Sequence, residues 1–277
     1  MCIRLAEWTT LGVGGMAREL AVAYSAERLA ELAAVGRVLG RGSNVLVSDD
    51  GYDGTIAVNR YETVTTRGDL VTAGSGTRLS VLAAVAAERG LSGLEWAHGI
   101  PGSVGGAVVM NAGAFGGGVS RSLVYADVLE SGDVKRRYAE ELDFGYRRSG
   151  IRGTVISATF ATEPKPSHEI RERMAELAAL RRKKQPRGKS AGSVFKNPPG
   201  QSAGKILDEA GLKGCRRGGA IISREHANII VNTGGATARD VVSLISVMRE
   251  ALLARGVTAE EEIIYIGDFG GINGVSG

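Results

Sequence analysis

The sequence is short of several residue types, and each shortage removes a class of protein. It has 2 cysteines in 277 residues, Cys2 and Cys215. They form neither a CxxC pair nor a disulfide framework, so a disulfide-stapled scaffold is excluded and a reducing cytoplasm is the expected compartment. Only 3 histidines occur, His98, His168 and His226; with no zinc-type Cys/His spacing and no HExxH, no metal site is expected. Long apolar runs are missing too. The opening MCIRLAEWTT has no apolar core long enough for a signal peptide. The longest charge-free stretch, Trp96 to Ser120, is broken by Pro101 and 8 glycines, whereas a spanning helix needs about 20 continuous apolar residues. No membrane partner is expected.

What is abundant is glycine, 41 residues of it. Glycine is costly inside helices and strands, so this number implies many close-packed loops, either tight turns alone or backbone laid along a large cofactor. The net charge of +4 suits anionic partners in general and selects none. The run Arg181-Arg182-Lys183-Lys184-Gln185-Pro186-Arg187-Gly188-Lys189 reads as a solvated helix end, its cations complementing the C-terminal dipole. A local cluster of this kind also suits a diphosphate. No aromatic platform interleaves with it, so no nucleic-acid partner is expected.

The length exceeds what one compact core usually holds. The first third alternates strand and turn signals, with strands at Arg37-Val38-Leu39, Val45-Leu46-Val47 and Thr55–Val58, which indicates a mixed α+β lobe. A second lobe opens near Tyr61, with a strand at Leu70–Ala73, a helix from Ser80 to Arg89 stopped by Gly90, and strands at Ser122–Leu129, Val134–Tyr138 and Thr154–Phe160. Ser131-Gly132-Asp133 is the turn between the first two of these three. Glu163-Pro164-Lys165-Pro166-Ser167 reads as a linker. Beyond it Ile170, Met174, Leu177 and Ala178 share a helical face, helices are expected at Ser202–Ala210 and Thr237–Arg255, and a final strand at Ile263–Ile266. Thr237 and Asp240 resemble a capping box.

Two nucleotide motifs fail. Gly188-Lys189-Ser190 ends like a P-loop, but Lys183 stands where its first glycine belongs. Gly40-Arg41-Gly42 opens like a dinucleotide fingerprint, but its last glycine position holds Val45. No GxSxG elbow occurs.

Seven segments in order do carry a pattern. They are TTLGVGG from Thr9, LGRGSNVLVSD from Leu39, GLEWAHGIPGSVGGAVVMNAGAFG from Gly93, FGYRRS from Phe144, SAGSVFKNP from Ser190, Gly218-Gly219-Ala220 with HANIIVN from His226, and EEEIIYIG from Glu260. Together they resemble the UDP-N-acetylenolpyruvoylglucosamine reductase family over nearly the whole chain, in its compact subtype without an inserted substrate-covering loop. The resemblance implies an α+β fold: a two-lobed FAD-binding region of the vanillyl-alcohol-oxidase (PCMH) type, lobes 1–60 and 61–163, and a C-terminal α+β substrate domain, 164–277, whose last strand returns toward the flavin.

It also implies non-covalent FAD, NADPH as reductant, and UDP-N-acetylglucosamine enolpyruvate as substrate, reduced to UDP-N-acetylmuramate for peptidoglycan synthesis. A monomer is expected. Candidate FAD contacts are Arg41, Gly42, Ser43, Asn44, Val45, Ile100, Pro101, Gly102, Ser103, Gly105, Gly106, Asn111 and Ala112; glycine turns of this type form backbone nests for anions. In the implied reaction flavin N5 delivers hydride and Ser193 the proton. Arg147 grips the substrate carboxylate, for which a guanidinium offers bidentate geometry. Glu262 lies beside the developing enolate and is expected to act as a neutral donor, its pKa raised by burial and like charge; the neighbouring Glu260 and Glu261 leave its register open. Tyr146, Asn197, Lys213 and His226 match positions near the substrate.

Three departures stand out: Arg41 replaces a small residue, His98 sits where a small residue is usual, and Ile264 stands where many relatives carry arginine. Two other readings stay open: a flavin-dependent sugar or alcohol oxidase of the same fold, and a nucleotide-sugar-binding protein without turnover.

Overall fold

The computed structural model describes residues 3–258 and 260–270; Cys2 and the glycine-rich tail after Gly270 lie outside them. The chain forms two compact units, each assembled from separated stretches. A terminal unit gathers Met1–Glu19, Gly42–Thr55 and Lys184–Gly277, and a central unit gathers Leu20–Arg41 and Ile56–Lys183. Compactness thus groups the chain differently from lobes at 1–60, 61–163 and 164–277. The expected linker is also no free linker. Glu163–Pro164 pairs with Leu91–Ser92, the Lys165 N–H donates to the Gly90 carbonyl at 2.8 Å, and the helix Ser167–Lys184 then buries Ile170 and Met174 in the central core.

The central unit is built on a five-stranded antiparallel sheet in the order Asp133–Tyr138, Leu123–Glu130, Thr154–Ala161, Leu70–Gly74, Val64–Arg67. Ser131 (φ 51°) and Gly132 (φ 92°) both take positive φ between the paired residues Glu130 and Asp133, the type I′ geometry that matches strand twist. Helix Leu79–Glu88 buries Leu79, Leu82, Ala83, Ala86 and Ala87, and the short helix Val104–Val109 buries Val104, Ala107 and Val108 in the same core as Val128, Val155 and Phe160. A helix at Ala26–Ala33, absent from the strand-and-turn reading of the first third, is capped by Ser25 and sets Leu29 and Leu32 against Ala23, Ala57 and Ile156.

The terminal unit has a four-stranded antiparallel sheet, Lys189–Ser193, Ile229–Asn232, Ala220–Ile222 and Arg216–Arg217 in that order. Helix Ala238–Leu253 buries Val241, Leu244, Ile245, Met248 and Leu252, a 3.6-residue spacing that presents one apolar stripe to this unit's core. The chain's last described strand, Ile264–Ile266, lies parallel to Val45–Val47, with Ile264 opposite Val45.

The start of helix Ala238–Leu253 is held twice over. Thr237 and Asp240 form the reciprocal capping box, and both Asp49 carboxylate oxygens accept helix N–H groups, from Ala238 at 2.7 Å and Arg239 at 3.0 Å. An anion there also complements the helix dipole. Thr237→Ala is expected to cost about 1 kcal/mol, read as a lower urea midpoint at unchanged m-value.

Candidate active site

The turn after strand Arg37–Leu39 presents an open set of donors. The N–H groups of Gly42, Ser43 and Asn44 have no acceptor among the described residues, whereas buried backbone donors are almost always paired. Gly42 has φ 60°, and a Cβ there would lie 2.3 Å from the Trp8 carbonyl oxygen, so only glycine fits. In the central unit the glycine block makes a second turn. Gly105 packs where a Cβ would lie 2.9 Å from Ser75 Cβ, while the N–H groups of Gly102 and Ser103 are likewise without an acceptor among the described residues. Three buried side-chain nitrogens in this unit, Arg41 Nε, Trp96 Nε1 and His98 Nδ1, also have no hydrogen-bond partner among the described residues. Backbone nests and a guanidinium are donors of the kind a pyrophosphate requires, so each turn, taken by itself, fits part of a dinucleotide such as FAD.

Not every expected cofactor contact keeps a side chain available. Asn44 spends its amide on the Glu262 carbonyl, 2.8 Å away. Asn111, at φ 44°, donates to the Gly145 carbonyl at 2.9 Å and accepts the Ser120 N–H at 3.1 Å. Arg41 pairs with Glu62 and reaches the Gly76 carbonyl at 3.3 Å. Val45 opens the strand beside Ile264, and Ile100 packs on the central core. Pro101 is exposed, Gly106 sits exposed on the short helix, and the Ala112 N–H donates to the Ala107 carbonyl at 2.8 Å.

Within the terminal unit Ser193 and Glu262 are tied through one residue. Ser193 ends the strand Lys189–Ser193, opposite Ile229. The next residue, Val194, accepts the Glu262 N–H at 2.7 Å and donates its own N–H to the Asn228 carbonyl at 2.9 Å. The ladder distinguishes the three glutamates. Glu260 forms an ion pair with Lys196 at 2.6 Å. Glu261 faces Phe195 and is held by Arg249 and the Tyr265 hydroxyl. Burial first, and then the Glu261 carboxylate, push the Tyr265 phenol above its usual range, so it stays a donor. Glu262 is the one whose backbone is bonded beside Ser193.

The expected substrate residues of this unit lie on the segments around that strand. Asn197 Oδ1 accepts the Ala203 N–H at 3.1 Å, and Lys213 pairs with Asp208 at 2.6 Å. His226 Nδ1 accepts the Asn228 N–H at 3.3 Å, and its ring packs so that a Cβ on Gly204 would lie 3.0 Å from Cε1. Burial, the largest cause, with the Lys213 charge also contributing, holds the His226 imidazole below its usual range. His226 is therefore neutral near pH 7 and suits a base or hydroxyl better than a phosphate. The unfolded chain takes up this proton near pH 6.5 and the folded one only at lower pH. Its stabilising contribution is thus complete above that value and is lost as pH falls below it. His226→Gln is expected to narrow the drop in Tm between about pH 7.5 and about pH 5.5.

Arg147 belongs to the central unit, so two of the three expected catalytic groups share one compact unit. It sits at φ 56°, a left-handed conformation uncommon outside glycine. Its turn is fastened to the glycine block: Asn111 to the Gly145 carbonyl, Ser149 Oγ to the Val109 carbonyl at 2.8 Å, and Arg147 itself to the Gly113 carbonyl at 3.4 Å. Tyr146, 54% exposed, has the Arg147 guanidinium 5.5 Å from its ring centroid. Arg181 was hidden in the basic run. Instead of a solvated helix end it is half-buried, and burial, followed by the charge of Arg147, lowers its pKa. The charge of Arg147 is thus felt at Arg181, and an anion would relieve both. No described helix is long and apolar enough to cross a membrane, and no group of three or more His, Cys, Asp or Glu among the described residues is placed to hold a metal ion.

An FAD-binding-domain model matches residues 28–136, and the model of the UDP-N-acetylenolpyruvoylglucosamine reductase C-terminal domain matches residues 184–266. The UDP-N-acetylenolpyruvoylglucosamine reductase of Agathobacter rectalis is 46% identical over 84% of this chain and 80% of its own. That of Thermus thermophilus is 45% identical over 90% and 94%. The crystal structure of the Thermus caldophilus enzyme aligns with a TM-score of 0.87 at 43% identity, covering 96% of this chain and 98% of the other. The chain belongs to the UDP-N-acetylenolpyruvoylglucosamine reductase family.

Proposed function

We propose that this flavoenzyme uses NADPH to reduce UDP-N-acetylglucosamine enolpyruvate to UDP-N-acetylmuramate, with Ser193, Arg147 and Glu262 as its catalytic residues. The observation that carries the assignment of roles is the backbone tie through Val194, which sets the Ser193 hydroxyl and the Glu262 carboxyl on adjoining segments.

The turns at Gly42-Ser43-Asn44 and at Gly102-Ser103 each offer open N–H groups that would suit phosphate oxygens of FAD, and Arg41 offers a guanidinium of the same use. FAD, when bound, supplies the hydride acceptor and donor that no side chain provides. The residues do the rest. Arg147, assisted by Arg181, binds the substrate carboxylate and fixes the enol ether. Glu262, protonated, donates a hydrogen bond to that carboxylate as charge builds on it. Ser193 gives its hydroxyl proton to the carbon bearing the carboxylate. A serine is a weak acid in water, but the carbanion it meets is a strong base, so the transfer needs position more than acidity. Lys213 and Tyr146 suit the diphosphate, and Asn197 and neutral His226 the uridine or sugar.

The lobes at 1–60 and 61–163 and the substrate domain at 164–277 remain part of the proposal, supported by the separate matches at 28–136 and 184–266. So do a cytoplasmic setting, which the cysteine usage favours, and, as expectations of the same reading, a monomeric state without nucleic-acid or membrane partners.

The test is made on the flavin-loaded protein under anaerobic conditions. NADPH bleaches the flavin absorbance, and the enolpyruvyl nucleotide then restores it with one equivalent of UDP-N-acetylmuramate formed. Bleaching by an alcohol or sugar in place of NADPH, with restoration when oxygen is admitted and none by the enolpyruvyl nucleotide, would make the chain an oxidase instead.

A further inference from the structure

The polar side chain most deeply committed to the Ser193 segment is Asn228, 2% exposed. Its Oδ1 accepts the Phe195 N–H at 3.0 Å and its Nδ2 donates to the Phe195 carbonyl at 2.8 Å. The side-chain amide thus mimics a strand partner and fixes both polar groups of one peptide position. Its own carbonyl takes the Val194 N–H, and Val194 in turn takes the Glu262 N–H. The other end of the same residue is anchored through its N–H on His226 Nδ1.

One buried asparagine therefore holds the two residues after Ser193 at three points. The strand itself cannot do this. Its register with Ile229–Asn232 shifts between Ser190 and Ser193, where Gly192 turns to φ 78°. Regular pairing is interrupted just where the hydroxyl must be placed, and Asn228 supplies the missing ladder.

Resting on the roles proposed above, we infer that Asn228 is a positioning residue that sets the Ser193 hydroxyl and the Glu262 carboxyl for proton delivery, without touching substrate or cofactor. A structural polar residue would serve stability alone. A positioning residue acts on one half-reaction.

The experiment compares Asn228→Ala, Asn228→Asp and Ser193→Ala with the parent as flavin-loaded enzymes. Asn228→Ala is expected to bleach with NADPH within about twofold of the parent rate and to bind the enolpyruvyl nucleotide with little change in Kd. Its reoxidation by that nucleotide should slow by about 10- to 100-fold, the size expected for a misplacement near 1 Å, with a larger solvent deuterium isotope effect.

Asn228→Asp adds a reading that stability cannot mimic. As a carboxylate it repels the Phe195 carbonyl; protonated, it donates to that carbonyl again and accepts the Phe195 N–H. Its reoxidation rate should therefore recover toward the parent as pH falls. His226, Lys196, Glu260 and Glu262 stand on the neighbouring segments in the variant and the parent alike, so the profile is read as a ratio to the parent.

Equal slowing of both half-reactions in Asn228→Ala overturns the inference, as does parental reoxidation with only a lower Tm. Failure of both Asn228 variants to purify with flavin assigns the residue to stability alone, and also overturns it. A Ser193→Ala enzyme that reoxidises at the parental rate removes instead the proposed role of Ser193, and the inference with it.

Discussion

Ser193→Ala bleaches with NADPH at the parental rate and is reoxidised by the enolpyruvyl nucleotide about 10²- to 10⁴-fold more slowly, the range for loss of a positioned proton donor. The two halves separate because the change is local. Ser193 makes its strand contact through the backbone opposite Ile229, and the Val194 bonds to Asn228 and Glu262 use no atom of the serine side chain. Alanine therefore fits without disturbing its neighbours, and Tm should move little. Stopped-flow absorbance of the flavin reads each half directly. Equal rates in both halves for variant and parent would remove Ser193 from the mechanism.

The second large effect is at Arg147. Arg147→Ala should lower kcat/KM for the enolpyruvyl nucleotide by about 10²- to 10³-fold, the cost of leaving a charged group without its hydrogen-bonded partner. Arg147→Lys keeps the charge and loses the planar fork, and should fall between the two. The backbone offers an unusual control. Arg147 holds φ 56°, a conformation that costs a side-chain-bearing residue about 1 kcal/mol. Arg147→Gly should therefore be at least as stable as Arg147→Ala and just as inactive. Strain retained at a position where glycine would relieve it argues that the guanidinium is kept for its chemistry. Activity that survives in Arg147→Gly would contradict this.

How much of this was legible in the chain depends on how local each cause is. The Ser131-Gly132 turn, the Thr237–Asp240 cap and the face shared by Ile170, Met174 and Leu177 are set by residues within one or two turns of each other, and they form as read. Helix Val104–Val109 runs against its own composition of two glycines and three valines. It forms because the Val104 N–H donates to Thr77 and the Gly105 N–H to Ser75, contacts that no window around residue 105 contains.

The same limit applies to the site. Asn44 and Asn111 read as cofactor donors from their motif, yet their amides hold the Glu262 and Gly145 carbonyls. Arg181 was indistinguishable from its basic neighbours until burial singled it out. Asn228 stood in a quoted motif with no role, because a side chain that mimics a ladder is visible only once the strand it completes is known to be irregular.

The parallel pairing of Ile264–Ile266 with Val45–Val47 bears on how the enzyme is made. Asn44 closes on Glu262 across 218 positions of sequence, so while the chain is still emerging from the ribosome the turn that would receive the pyrophosphate has its Thr10 contacts to Gly42 but lacks this one. The loop-closure entropy must be met before this contact gives any return. The Asn44–Glu262 brace is consequently among the last contacts the growing chain can make, and it depends on residues that are translated long after the turn it steadies.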